Sequence, residues 1–317
     1  MFSKDEIIRA GYRVLLEREP ENTSVVEEAA ASMESAEEIL KHFSTSTEYI
    51  EKLGAPGYLS AVAVGRGARR QSIETHTSLD NMQALFERVR KQWSKLGETE
   101  PYWSVLTDER YRMSTIERHQ DSFEASARNE MALFDAALDR CFTNPPKGVC
   151  LELGCGVGRA TRYLSTRFDS IVAVDVAEGN MRICKEAMQQ DEIENVDCRL
   201  LTKVQDIADL PEFDMLYSVM VLQHNPPPVI LYMLGTLLPK LRPGGVAYFQ
   251  VPTHTLRYAF SIEKYFNSDP SILDMHALPM QDVFSSIATA GLELREVLAD
   301  GWTGQYGSHT FIARKPA

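Results

Sequence analysis

Leu151-Glu152-Leu153-Gly154-Cys155-Gly156-Val157-Gly158-Arg159 is the stretch that decides the fold. An apolar run ends in a GxGxG turn, and a helix-compatible segment, Arg159–Phe168, follows. Glycines at a strand-to-helix turn bend the backbone sharply and let a ligand approach where a Cβ would obstruct it. The start of the following helix offers free amides and a positive dipole end to an anionic group. A lone turn of this kind also serves as an ordinary tight connection, so its neighbours carry the argument. Glu152 stands two residues before the first glycine, and the spacing is GxGxG rather than the GxGxxG of nicotinamide domains. Asp175 closes the next apolar run about twenty residues on, where an acid that accepts from both ribose hydroxyls belongs.

Outward from this turn the pattern alternates. Val149–Leu153, Ser170–Val174, Val196–Leu200, Asp214–Met220 and Val246–Val251 read as strands, with helical segments such as Asn180–Gln190 between them. Strand and helix in alternation predict an α/β, doubly wound parallel sheet. Leu292–Leu298 and His309–Ala313 are spaced as antiparallel neighbours at the end of the chain.

Glu152-Leu-Gly-Cys-Gly-Val-Gly158 resembles the first motif of the class I S-adenosylmethionine-dependent methyltransferases, and Val172-Ala-Val-Asp175 the second. Phe213-Asp-Met-Leu-Tyr-Ser218, Leu222-Gln-His224 and Leu241-Arg-Pro-Gly-Gly245 resemble the later motifs, in order. The resemblance implies a Rossmann-like seven-stranded, mostly parallel sheet with a reversed last strand. It also implies S-adenosylmethionine as cofactor. Glu152 would pair with the methionine ammonium, and the helix start with the carboxylate. Gly154, Cys155, Gly156 and Gly158 would form the cofactor loop. Asp175 and Val176 would hold ribose and adenine, Thr202 would edge the adenine, and Ser218 and Val219 would face the methionine arm. Where many relatives place an acid directly after the third strand, Leu201-Thr202-Lys203-Val204 here precedes Asp206. From Pro101 onward the chain also resembles a group of bacterial methyltransferases of undefined substrate, through Tyr102-Trp103-Ser104-Val105, Gln223–Pro228, Phe249–Thr253 and Met275-His276.

The acceptor is less legible. Asn225-Pro226-Pro227 suggests the Asn-Pro-Pro-Tyr signature of amino-group methyltransferases, but there the Asn ends the fourth strand, a position held here by Ser218. A hydroxyl acceptor that must lose a proton needs a base. His224, just past the fourth strand, and His254, just past the fifth, are the candidates, with His276 a further one; each is also an ordinary packing histidine. The aromatic segment Pro252–Met280, with Arg257, Tyr258, Phe260, Tyr265 and Phe266, suits either a sugar-stacking pocket or a second small core. Tyr102 and Trp103, and likewise Trp302 and Tyr306, are lid or packing residues. The expected partner is a small-molecule or glycan acceptor. The rival readings are a nicotinamide-dependent oxidoreductase, which the glycine spacing disfavours, and a non-catalytic interaction protein, which the intact Glu152, glycines and Asp175 disfavour.

Upstream, residues 1–53 read as a small all-helical module. Ser3/Glu6, Ser24/Glu27, Ser35/Glu38 and Thr45/Glu48 have capping-box spacing, Ile8, Tyr12, Leu15 and Leu16 form a stripe, and Pro20 follows as a stop. Tyr12-Arg-Val-Leu-Leu-Glu-Arg-Glu-Pro20 with Ser46-Thr-Glu-Tyr49 resembles an uncharacterised bacterial module found beside surface-glycan enzymes. Residues 54–77 read as a linker, and 78–145 as a helical lead-in or lid in which Met82, Leu85, Phe86, Val89, Trp93 and Leu96 share a face and Gly97 is the stop. The methyltransferase domain spans 146–317. Net charge is −12 with no Lys/Arg-rich run, which excludes nucleic acid as a general partner. The five cysteines show no metal-ligand spacing, and no apolar stretch is long enough for a membrane span; a cytoplasmic protein without metal is expected.

Overall fold

The computed structural model describes residues 3–16, 18–33, 35–44, 46, 48, 72–255, 258–303 and 307–317. Thr45, Thr47, Tyr49, Arg257, Tyr306 and residues 54–71 of the expected linker lie outside the described residues. The chain divides into two compact units, Met1–Arg70 and Gln71–Ala317.

The first unit holds α1 (Lys4–Val14), α2 (Thr23–Ser32) and α3 (Ala36–Ser44) around Ile8, Leu16, Val26, Ile39 and Phe43. Ser3 and Glu6 form a reciprocal capping box, and Ser35 Oγ accepts from the Glu38 amide. Ser24 is not a cap: it lies inside α2, whose N-cap is Asn22, accepting from the Val25 amide. α1 ends at Val14, well short of Pro20. Glu48 receives the Arg18 guanidinium in two hydrogen bonds of 2.7 and 2.9 Å.

In the second unit α4 (Leu79–Thr99), α5 (Pro101–Val105) and α6 (Gln120–Cys141) precede the sheet. Gly97 does not stop α4, which runs on to Thr99. A Cβ there would lie 3.0 Å from the Ala177 Cβ, and one on Gly179 would lie 2.3 Å from the Gly97 carbonyl oxygen. This glycine pair lets two helix backbones touch. Residues 72–77 do not run free as a linker, since Ile73 bridges Phe260 and the Glu74 carboxylate accepts from the Ile262 amide.

The sheet contains β1 (Val149–Leu153), β2 (Ser170–Asp175), β3 (Val196–Leu200), β4 (Phe213–Ser218), β5 (Leu241–Pro252), β6 (Glu293–Ala299) and β7 (Ser308–Arg314). Its order is β3-β2-β1-β4-β5-β7-β6. Strands β1 to β5 pair in parallel, and β7 enters antiparallel to both β5 and β6. That reversed last strand between the fifth and sixth is not the 3-2-1-4-5-6 order of nicotinamide domains. The central strands are apolar on both faces because helices cover both. Cys150, Met215, Tyr217 and Tyr248 point to the side of α6, where Met131, Phe134 and Leu138 meet them. Their neighbours Leu151, Leu216, Ala247 and Phe249 point the other way, to α4, α9 (Pro227–Leu237) and α10 (Met280–Thr289). α8 (Glu178–Gln190) follows β2. The helix expected over Arg159–Phe168 is only the single turn α7, Thr161–Leu164. The segment beyond is tied down by Asn195, whose Nδ2 donates to the carbonyls of Ser165 and Phe168.

Phe134 joins α6 to the sheet through edge-to-face contacts at 5.1 Å to Tyr217 and 4.9 Å to Tyr248. Truncating a buried aromatic typically costs about 3–5 kcal/mol. Phe134→Ala is expected to lower unfolding free energy by that order in urea titrations, and a loss under 1 kcal/mol would contradict this packing.

Candidate functional site

The principal cavity opens where β1, β2 and β4 end. Glu152, Gly154, Cys155, Gly156, Asp175, Val176, Val219 and His224 line it together. The loop glycines are left-handed, at φ +80° for Gly154 and +55° for Gly156, a conformation that side chains resist. A Cβ on Gly154 would stand 2.3 Å from Val221 Cγ2, and one on Gly156 2.5 Å from Val105 Cγ2. The cradle therefore accepts only bare backbone. Val105 is held in place by a small core of Tyr111, Ile116, Phe123 and the loop residue Val157.

Four expected residues are placed elsewhere. Gly158 is left-handed too, but it faces the Cys184 sulfur and the Met188 side chain. Ser218 is buried, with Oγ donating to the Leu153 carbonyl at 3.3 Å. Thr202 turns to Asp206, whose carboxylate accepts its amide and hydroxyl, so Leu201 reaches the cavity in its place. His254 stands beside Gly307 and off the cavity. Single-residue shifts at a strand end exchange which side chain faces inward, because alternate residues point to opposite faces.

The cavity's charged groups are unusually dry. Glu152 is 3% exposed, and Thr161 Oγ1 donates to its carboxylate at 2.7 Å. Burial pushes its pKa up to about 8, the Thr161 bond opposing and the Glu130 charge adding. Asp175 accepts the Gly156 amide on one oxygen and the Ala177 amide on the other, both at 2.8 Å. Burial raises its pKa and these amides offset part of the rise. One carboxylate thus shapes the glycine loop and the start of α8 together.

His224 packs against Trp93 with ring centroids 4.7 Å apart, and burial holds its pKa down to about 4. Its Nδ1 is buried without a partner. His276 lies behind the cavity, with Tyr258, Phe260 and Tyr265 around its ring and its Nδ1 2.9 Å from the Tyr258 hydroxyl. The aromatic insert is therefore packing, though not a separate small core: Phe260 and Tyr265 join the main core on the α4 side of the sheet, and Arg88 of α4 clasps the insert with its guanidinium 4.2 Å from the Tyr265 ring centroid. Tyr102 packs on Phe123 and Trp103 lies under Arg112, while the intervening segment presents Ser104 and Val105 to the cavity. Trp302 packs against the core on the α6 side of the sheet.

Sequence reasoning missed Glu130, Asn180, Tyr217 and Met220, and gave no role to Arg159 or to Trp93 beyond its helix face; all line the cavity. Glu130 was findable: Phe123, Ala127, Glu130 and Phe134 share one helical face, and an acid on a buried stripe needs a partner. Among the described residues no group of three or more His, Cys, Asp or Glu could hold a metal, and no helix is long and apolar enough to cross a membrane.

A seven-stranded sheet with a reversed last strand, a left-handed glycine cradle and an acid near the C-terminal end of each of β1 and β2 are features shared with the class I S-adenosylmethionine-dependent methyltransferases. Residues 150–245 match the model of a methyltransferase domain. A ubiquinone biosynthesis O-methyltransferase from Dinoroseobacter shibae is 30% identical over 104 residues, 32% of this chain. The match spans 41% of that relative's length. Among solved structures, an S-adenosylmethionine-dependent methyltransferase from Leishmania major is 12% identical with a TM-score of 0.50, covering 72% of this chain and 82% of the other. Magnesium protoporphyrin IX methyltransferase from Synechocystis PCC 6803 is 17% identical with a TM-score of 0.49, over 72% and 97%. At these identities the structural likeness concerns the fold alone.

Proposed function

We propose that the protein transfers the methyl group of S-adenosylmethionine to a hydroxyl of a sugar, glycan or other small molecule. The observation that carries the donor side is the pairing of two carboxylates, the buried Glu152 and the half-buried Asp175, across a glycine cradle that a Cβ would fill. Such a set fits a cationic amino-acid end on one side and a diol on the other. Glu152 would hold the ammonium, Asp175 the ribose hydroxyls, and Val176 and Leu201 would flank the adenine.

The cofactor supplies an electrophilic methyl on a sulfonium, open to in-line displacement. The chain's own contribution is then alignment and exclusion of water. Val89, Trp93 and Val105 wall the cavity, and Met220 stands two residues past the end of β4 in a left-handed conformation, φ 60°, with its amide held by Gln250 Oε1 at 2.9 Å. His224 is neutral at pH 7 and able to take the hydroxyl proton; its lowered pKa makes it a weak base, so proximity carries most of the rate. The base role falls to His224 because His254 does not line the cavity.

Ser218 at the end of β4, where amino-group enzymes place Asn, favours oxygen over nitrogen as acceptor, and Asn225 Nδ2 is engaged with the Val221 carbonyl at 3.1 Å. Methyl-labelled S-adenosylmethionine incubated with the full chain and cell-surface glycan extracts should label glycan hydroxyls, read by mass spectrometry. Label confined to protein or lipid would refute the sugar acceptor.

A further inference from the structure

Glu130 of α6, Arg159 of the cofactor loop and Tyr217 of β4 meet at the cavity wall. The side chains of Arg159 and Glu130 are 5% and 4% exposed. Arg159 Nη2 donates to one Glu130 oxygen, the Tyr217 hydroxyl donates to the other, and Arg159 Nη1 donates to Ser126 Oγ at 3.2 Å. A guanidinium presents its donors as a rigid planar fork. With the Nη edge engaged, Nε–H remains, and it is buried without a partner. A buried donor of this kind is costly unless an acceptor arrives. Among the described residues no other Lys or Arg lines the cavity. The helix after the loop is the four-residue α7, too short for its dipole to serve an anion in place of a side chain. Glu152, in the same cavity, would supply the opposite charge once a ligand ammonium draws off its proton.

We propose that Arg159, braced by Glu130 and Tyr217, binds the carboxylate of the donor's amino-acid end through its free Nε edge. The assignment rests on the cofactor reading above and names the residue that distinguishes the whole cofactor from its nucleoside part. Glu130 and Tyr217 act as positioning residues: they hold the guanidinium plane so that the Nε edge, not the Nη edge, faces a ligand. The zwitterion is then read at both ends, ammonium by Glu152 and carboxylate by Arg159.

The test is calorimetric, on the full chain, with S-adenosylhomocysteine and with 5′-methylthioadenosine, which keeps the nucleoside and sulfur but lacks the amino-acid end. Arg159→Met combined with Glu130→Gln removes the charge pair together and leaves no lone buried charge. The preference for S-adenosylhomocysteine over methylthioadenosine should fall roughly 10- to 100-fold in this variant. Arg159→Lys keeps the charge but loses the fork, and should also lower the preference. A wild-type preference in both variants overturns the assignment and leaves the cofactor reading intact. Failure of the wild-type chain to bind S-adenosylhomocysteine at all overturns both.

Discussion

Glu152→Gln is expected to weaken S-adenosylhomocysteine binding roughly 10- to 100-fold, the usual weight of a hydrogen bond to a charged group, and to change how stability depends on pH. The wild-type carboxyl sits in a dry wall with its pKa pushed up to about 8 from an ordinary 4.5. A raised carboxyl pKa means that the folded state holds the proton more tightly than the unfolded state. Stability from this group is therefore complete below about pH 4.5 and is lost as pH rises towards about 8, at up to roughly 1.4 kcal/mol per pH unit. Gln keeps the shape, removes the titration and should flatten that part of the profile, so the variant gains on the wild type at pH 8 even as it loses ligand. Binding follows the same logic in reverse. A ligand ammonium requires the ionised carboxylate, so wild-type binding should release a proton below pH 8, visible as a dependence of the calorimetric heat on buffer ionisation enthalpy. The Gln variant should show no such release. A wild-type stability profile that matches the Gln profile between pH 5 and 8 would rule out a buried, protonated Glu152.

Asp175→Ala should remove most binding of S-adenosylhomocysteine, by about 100-fold or more, because two functions are lost together. One is the acceptor for the ribose hydroxyls. The other is structural: without the carboxylate the Gly156 and Ala177 amides lose their 2.8 Å partners, at a cost of about 1–3 kcal/mol for each buried donor left unsatisfied. Asp175→Asn separates the two. Its single carbonyl oxygen can serve one amide but not both, so stability should recover in part while affinity stays low. Calorimetry with thermal unfolding on both variants gives the measurement, and undiminished affinity in the Ala variant would refute the site.

Much of this was readable along the chain. The strands were legible because a parallel strand covered on both faces must be apolar throughout, as in β1, while the edge strand β3 alternates apolar and polar residues; both begin and end where the sequence pattern places them. The terminal antiparallel pair was legible from its spacing. The cofactor loop was legible because left-handed backbone selects glycine at Gly154 and Gly156. The helix after the loop was overestimated, since its composition suits a longer helix and only the clasp from Asn195 shows where the chain must turn away. Gly97 looked like a stop for the same reason: local propensity cannot distinguish a helix end from a point where another helix backbone, at Gly179, comes into contact. The aromatic insert was ambiguous in sequence because pocket walls and cores use the same residues; its rings surround His276 and join the main core.

The sequence by itself determined the sheet, the glycine turn and the two acids near the ends of β1 and β2, because each follows from local rules of periodicity and backbone conformation. Only the tertiary structure decided which residues complete the cavity. Glu130, Arg159 and Tyr217 are far apart in the chain and meet because α6 packs across β4 and the loop. Thr202 yields its place to Leu201, and His254 falls outside, because a strand end sends alternate side chains to opposite faces and only packing fixes which one looks inward. Desolvation, the cause of the raised Glu152 and lowered His224 pKa values, is likewise a property of what surrounds a residue in space and is invisible in the order of the chain.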